Sequence, residues 1–457
     1  MLKTFANLFK IPELRTRVLF TIGLVAIARL LAMIPTPGVD WSALMQLQAN
    51  IAATASGGLI GWFDTFTGGG LTNFSVGTLS IWPYISAQII IQLMTAVIPT
   101  LGKLQREGDS GRKTLNLYIR WLTIAICIFQ AVALANTMLN PARLGGGDVD
   151  VVVMNPVLFY MMTVISMTGA SMFVMWLGDQ ITERGIGNGV SLLIMINITS
   201  RLPVAVADAA RRYFGAGDAT AQAPVWELLV LLIFGFAVLL GTVALTQALR
   251  KIPIHSTRAI SQGSSYGGGQ TYLPLRVNYA GVMPIIFAGP ILALLGMLKN
   301  LKGSGAFTAT LQRIGEAVVP SGPSVSYVYI ALYGGLILFF TFFWVATQFN
   351  AMNISEGLKR DGSYIPGIRP GLATAEYLDA VMTRVTLIGA LSLLSIAVIP
   401  LLLTARDVPT DIANFFGGTS LLIIVGVALD TLRQMESQLV MRNYDGFLKH
   451  GRIAGRR

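Results

Sequence analysis

Ten stretches of the chain are apolar over about 17–25 residues, the length that a helix needs to cross the hydrocarbon core of a bilayer. Only 12% of the 457 residues are charged, against roughly 25% in soluble domains. Lipid must therefore cover much of the surface, and the predicted fold is that of an all-α polytopic membrane protein. The ten stretches are 17–35, 75–99, 117–138, 156–177, 189–206, 226–248, 280–298, 326–348, 382–403 and 415–435.

The basic residues between these stretches predict the orientation of the chain. Alternate connecting segments carry most of the 33 lysines and arginines, whereas the first connection on the opposite side, 36–74, carries none. Loops rich in lysine and arginine stay in the cytoplasm, so both termini are predicted to be cytoplasmic. The run 18–34 follows basic residues, but it is longer than the apolar core of a signal peptide, about 7–15 residues. We interpret it as a retained first span.

Ten spans divide into two sets of five, which predicts an N-terminal half over 1–210 and a C-terminal half over 211–457. An odd number of spans per half makes the second half start on the opposite side of the membrane. Such halves are compatible with inverted-topology repeats, although the two halves share no evident sequence similarity. The longest cytoplasmic loops of the second half are predicted at 250–279 and 350–381.

The sequence offers little for catalysis, metal binding or ion coupling. Cys127 is the only cysteine, and His255 and His450 are the only histidines, so neither a disulfide nor a thiolate metal site is expected. No cofactor and no enzymatic activity are predicted. Arg29 is charged within an apolar span, and such a residue either lines a proton or ion path or pairs structurally. The net charge of +11 is typical of cytoplasmic loops that face anionic lipid, and DNA is not an expected partner.

A glycine run, Gly68-Gly69-Gly70, interrupts the apolar sequence between the first two long stretches. Glycines permit tight turns and close backbone approach. Irregular backbone at membrane depth exists only where protein buries it or where it lines a cavity. The segment is therefore either a surface loop or a piece of chain that folds back into the protein.

Several segments together resemble the SecY family of bacterial protein-translocation channels. The resemblance runs from about residue 17 to the C-terminal tail, and its motifs occur in the family's order. They are IPTPGVD (34–40), WPYISAQIIIQLMT (82–95), EGDSGRK (107–113), QITERGIGNGVS (180–191), LPLRVNYAGVMP (273–284), YIPGIRPG (364–371) and FGGTSLLIIVGVALD (416–430).

The resemblance implies a fold and a set of pore residues. The fold is two inverted five-helix halves around a central hourglass pore, which passes unfolded secretory chains and releases membrane helices laterally into lipid. A ring of apolar side chains closes the waist of such a pore. The matching positions are Ile81, Ile85, Ile194, Ile198, Ile286 and Ile423. The segment at about 57–74 matches the plug, with Phe63, Phe66, Gly68, Gly69 and Gly70 in its most recognisable part.

The resemblance also implies partners and a location. Arg276 and Arg369 match the loops that dock the SecA motor ATPase or the ribosome, and SecE and SecG are the expected small subunits. The resemblance further implies that the chain contacts signal sequences, unfolded polypeptide and the lipid bilayer. The implied location is the bacterial inner (plasma) membrane, which the chain crosses several times. The tip Gln262–Gln270 is richer in glycine and poorer in charge than the family's usual loop. A small-solute transporter with inverted repeats remains the alternative, although it needs a polar midplane site.

Overall fold

The computed structural model describes residues 12–52, 64, 67–141, 151–215, 224–256, 271–297, 310, 312–313, 315, 327–404 and 418–450. Helices dominate these residues. They are α1 (Pro12–Leu31), α2 (Trp41–Ala52), α3 (Trp82–Val97), α4 (Pro99–Arg106), α5 (Asp109–Leu139), α6 (Pro156–Arg184), α7 (Gly189–Thr199), α8 (Leu202–Phe214), α9 (Val225–Gln247), α10 (Met283–Met297), α11 (Tyr327–Gln348), α12 (Ala351–Arg360), α13 (Leu372–Thr404) and α14 (Gly418–His450).

Each of the ten predicted apolar stretches coincides with helix, but the ends differ. Within the described residues, six helices are long and apolar enough to cross a membrane, and a bent pair would make a seventh. That pair is α3 and α4, which meet at 107°. The second predicted stretch was expected from residue 75, whereas the helix begins at Trp82 and the residues before it form turns. The fifth stretch is divided, because α7 ends at Thr199 and α8 begins at Leu202.

Local chemistry explains where several helices begin. The side chain of Asn155 accepts a hydrogen bond from the Val157 amide ahead of α6, and Asn188 accepts one from the Ser191 amide ahead of α7. Asparagine at this position satisfies amides that have no partner inside the helix. Proline stands in the first turn of α3, α4 and α6, where its missing N–H costs nothing.

A small antiparallel sheet forms in the segment between α9 and α13, whereas helices make up most of the other described residues. Its strands are β1 (Leu249–Ser256), β2 (Thr271–Arg276) and β3 (Ser363–Tyr364), in the order β2-β1-β3. Leu249 pairs with Arg276, and His255 pairs with Tyr364. The glycine-rich tip predicted at 262–270 lies outside the described residues. The sheet links the two cytoplasmic loops that were predicted at 250–279 and 350–381.

The chain forms two compact units. The first comprises residues 1–207 and 427–457, and the second comprises residues 208–426. The division at 1–210 and 211–457 inferred from the sequence stays a prediction, and the first unit also contains α14 from residue 427 onward. The first unit has a core around Phe74, Phe159 and Met167. The second has a core around Leu292, Ile337 and Leu422.

Candidate functional site

The carboxylate of Asp64 organises the chain that precedes α3. Its Oδ1 accepts hydrogen bonds from the amides of Leu71 (2.9 Å) and Thr72 (3.0 Å) and from the hydroxyl of Thr67 (3.1 Å). Its Oδ2 accepts a hydrogen bond from the hydroxyl of Thr72 at 3.1 Å. The Asp64 side chain is only 1% exposed. One carboxylate thus accepts four hydrogen bonds from the chain at 67–72.

The glycine run supplies the backbone conformations that this turn needs. Gly68 and Gly69 have φ values of +67° and +94°, a region that side-chain-bearing residues rarely occupy. Phe74 and Ser80 also have positive φ, at +40° and +48°, and such conformations persist only where the surroundings enforce them. The candidate plug residues Phe63 and Phe66 lie outside the described residues.

Backbone hydrogen bonds attach the same segment to the chain that leaves α1. The Thr36 amide donates to the Phe74 carbonyl (3.0 Å), the Val76 amide to the Ile34 carbonyl (2.9 Å) and the Gly77 amide to the Leu31 carbonyl (3.0 Å). Phe74 is fully buried, and its ring stacks on that of Phe159 at a centroid distance of 6.1 Å. Of the two sequence interpretations, the structure therefore favours a segment folded back into the protein.

Arg29, near the end of α1, holds the glycine run from one side. Its Nη1 and Nη2 each donate to the Gly68 carbonyl at 3.1 Å, and Nη1 also donates to Asn197 Oδ1 at 3.4 Å. A half-buried guanidinium needs such acceptors, since an unpaired charge in a poorly hydrated site is costly. The contacts match the structural pairing that was one of the two alternatives for Arg29.

Arg201, in the break between α7 and α8, holds the segment from another side. Its guanidinium forms an ion pair with Asp64 and donates to the Thr72 hydroxyl at 3.1 Å. Removal of one member of a buried ion pair costs about 3–5 kcal/mol, because the other charge stays buried without its partner. Arg201 thus places a charge beside the segment from within a stretch, 189–214, that is otherwise apolar enough to span a membrane.

Asn197 connects this segment to the start of α3. Its Nδ2 donates to the Ser80 hydroxyl at 2.9 Å. Ser80 directly precedes Ile81, and Asn197 directly precedes Ile198. The hydrogen bond therefore brings together two backbone positions that neighbour candidate ring residues.

The six candidate ring isoleucines fall in both units. Four lie in the first unit, on or beside α3 and α7, and two lie in the second, on α10 and α14. Five are buried, and Ile194 is half-buried. The buried ones are Ile81, Ile85, Ile198, Ile286 and Ile423.

The two candidate docking arginines both lie on exposed loops of the second unit. Arg276 is the last residue of β2, and its side chain is exposed. Arg369 lies in the turn after β3, where the Thr374 hydroxyl donates to its carbonyl at 2.8 Å and its side chain is exposed. Because β2 and β3 flank β1 in one sheet, both arginines belong to one folded platform.

Sequence reasoning missed Asp64, Ser80, Asn197 and Arg201. A signal for Asp64 is present, since it is the only charged residue between Asp40 and Lys103. Lone polar residues in apolar stretches commonly mark function or structural pairing. Asp64 and its partner Arg201, like Ser80 and its partner Asn197, are more than a hundred residues apart in the sequence. The sequence pattern alone therefore does not reveal this network.

The fold and the site define a class of protein. The chain is helical and polytopic, and a buried irregular segment precedes one of its spans. The residues at the candidate constriction are apolar rather than charged. These features define a membrane channel subunit. A SecY family model matches residues 75–432. The SecY protein translocase subunit of Thermotoga maritima is 39% identical over 460 residues, which cover all of both chains. The chain belongs to the SecY family.

Solved structures agree with this fold. A SecY translocation channel aligns with a TM-score of 0.59 at 17% identity and covers 98% of this chain and 99% of its own. The canine ribosome–channel complex from the endoplasmic reticulum contains a Sec61 chain that aligns with a TM-score of 0.57 at 16% identity, covering 96% and 94%. The prediction that the chain is an all-α polytopic channel subunit is confirmed. The alternative prediction, a small-solute transporter, gains no support from these comparisons.

Gly68→Ala should loosen the segment more than Gly69→Ala. Both glycines have positive φ, so both substitutions strain the backbone. Only at Gly68 would a Cβ lie 2.3 Å from Arg29 Nη1, whereas at Gly69 the nearest atom is 3.7 Å away. Hydrogen exchange measured by mass spectrometry on residues 67–80 should rise more for Gly68→Ala. Equal exchange in the two variants would show that the close approach of Arg29 does not restrain the segment.

Proposed function

We propose that the six isoleucines close the pore of this protein-conducting channel and that the segment at about 57–74 is its plug. The chain is the channel-forming subunit of a protein translocase, as its family defines. Unfolded secretory chains pass through the pore, and membrane helices leave it sideways into lipid. The observation that best supports the site assignment is the burial of ring isoleucines next to a docked, irregular segment in the first unit.

A ring of isoleucines has the properties that such a pore requires. A narrow apolar constriction excludes water and ions by dewetting. It also offers a moving polypeptide no strong binding site, so binding does not arrest the chain. Isoleucine side chains are stiff at χ1, and all six ring side chains have the same size. They therefore form a constriction of uniform width around an extended chain.

The plug assignment has support from the local geometry. The segment is held by side-chain and backbone hydrogen bonds rather than by membership of a long helix, so it can leave its position without unfolding a span. In a related SecY channel the plug domain stabilises the closed state and maintains a membrane seal. We assign the same role to the segment at about 57–74 here, to which Phe63, Phe66 and the glycine run belong.

The partners follow from the same proposal. The channel itself carries no nucleotide-binding motif, so a partner must supply the energy. We propose the ribosome and the SecA motor as the alternative partners that dock on the loops of Arg276 and Arg369, with SecE and SecG as small subunits. The protein then lies in the bacterial inner membrane with both termini in the cytoplasm, where these partners work.

A photo-crosslinker at Ile85 or Ile286 should capture a secretory chain that is stalled in transit. Crosslinkers at Ile165 and Ile388, two exposed isoleucines, serve as controls on the lipid-facing surface. Electrophoresis of the crosslinked products should show adducts of the stalled chain at the first two positions only. Comparable adducts at the control positions would mean that the ring isoleucines do not line the path.

Ile423→Asn should open the seal, whereas Ile423→Leu should leave it intact. An amide in the constriction retains water, while leucine conserves its apolar character and size. Ion conductance of the resting channel in planar bilayers should rise for the asparagine variant, and precursors with weak signal sequences should be translocated better. Identical conductance in the two variants would remove Ile423 from the ring.

Arg369→Glu should reduce SecA-dependent translocation by about tenfold or more, as expected when one charge-assisted contact in an interface becomes repulsive. Arg360→Glu is the control, since Arg360 is also exposed and lies on α12 of the same loop. Translocation of a precursor into inverted vesicles measures the effect. Full activity of Arg369→Glu, or equal loss in both variants, would contradict a specific docking role.

A further inference from the structure

We propose that Asn197 is a positioning residue, which holds the plug segment in its docked place and couples it to two of the ring isoleucines. This inference rests on the proposed plug and ring. It goes beyond them because it names the interaction that would make the two move together. Nothing in the apolar character of α7 requires an asparagine at this position.

The carboxamide of Asn197 is buried, and both its oxygen and its nitrogen form hydrogen bonds. Its Oδ1 accepts from Arg29 Nη1 at 3.4 Å, and its Nδ2 donates to Ser80 Oγ at 2.9 Å. The arginine has donors only, so the oxygen must face Arg29 and the nitrogen must face Ser80. The two ends of the amide therefore contact two different parts of the chain in one defined orientation.

Through Arg29 the amide reaches the plug segment. Arg29 donates to the Gly68 carbonyl through both Nη atoms at 3.1 Å, and the Ser200 hydroxyl also approaches that carbonyl at 3.5 Å. If the segment left, the half-buried guanidinium would lose its main acceptor. Buried charges without acceptors are strongly unfavourable, so this network stabilises the docked position.

Arg201 makes a second attachment to the plug segment. Arg201 pairs with Asp64 and donates to the Thr72 hydroxyl. Arg29 thus contacts the first glycine of the run, whereas Arg201 contacts residues on both sides of it. Arg29 lies near the end of α1, and Arg201 lies between α7 and α8. Release of the segment has to break both.

The coupling to the ring runs through Ser80. This residue has a φ of +48°, a conformation that the surroundings must enforce, and it directly precedes Ile81 at the start of α3. Asn197 directly precedes Ile198. A polypeptide that pushes Ile81 and Ile198 apart therefore strains the hydrogen bond between Asn197 and Ser80, and this loss frees Asn197 from its defined orientation toward Arg29.

The test compares Asn197→Leu with Thr199→Val in the full chain, assembled with its partner subunits in lipid nanodiscs. Leucine is close in size to asparagine but has no polar atoms. Thr199 lies on the same helix, and its hydroxyl donates to the Met195 carbonyl of that helix at 2.8 Å. The control thus removes a polar group of α7 that does not reach the plug segment.

Hydrogen exchange of the Val76 and Gly77 amides, which donate to carbonyls of the α1 region, reports whether the segment is docked. Asn197→Leu should raise their exchange by about tenfold or more, as expected when a hydrogen bond to a charged group is lost. Thr199→Val should leave it unchanged. Ser80→Ala removes the same hydrogen bond from the other side, and it decides the matter if Asn197→Leu does not assemble.

Resting ion conductance separates this inference from the proposed function. Raised exchange with raised conductance supports both. Raised exchange with unchanged conductance keeps the positioning role of Asn197 but contradicts the sealing role of the segment. Unchanged exchange in Asn197→Leu or, where that variant does not assemble, in Ser80→Ala overturns the inference, whatever the conductance.

Discussion

The carboxylate of Asp64 and the guanidinium groups of Arg29 and Arg201 satisfy polar groups of a stretch of chain, 68–80, that forms turns rather than a helix or a strand. In a bilayer, backbone groups outside helices survive only where protein or water supplies partners. Here a carboxylate accepts from two amides, and an arginine donates to a carbonyl. The irregular segment, its glycines and the break between α7 and α8 all follow from that requirement.

Small residues make this arrangement sterically possible. A Cβ at Gly77 would lie 2.9 Å from the Leu31 carbonyl carbon, and one at Gly189 would lie 2.0 Å from the Gly178 carbonyl oxygen. Close backbone approach of this kind is how helices and loops pack where the surroundings are as apolar as the side chains. Gly77 thereby lets the segment at 67–80 lie directly against the end of α1.

The same contacts suggest how one molecule combines a seal with ready opening. Most of the fold consists of long helices whose hydrogen bonds are internal, and these persist whatever passes through the channel. The segment at 67–80 depends instead on contacts to other elements, and parts of a structure held in this way are less stable and open first. In the second unit, a sheet of three strands joins the loops that carry the candidate docking residues Arg276 and Arg369.

The sequence by itself determined the helical membrane fold, the position of all ten helical stretches and membership of the SecY family. Apolar length, charge distribution and local motifs are properties of short segments and can be read directly. Only the tertiary structure decided that the glycine run is buried, that Arg29 meets Gly68 and Asn197, and that Arg201 meets Asp64. It also showed strands beside the predicted tip. Contacts between residues 39 to 168 positions apart depend on packing, which no local pattern encodes.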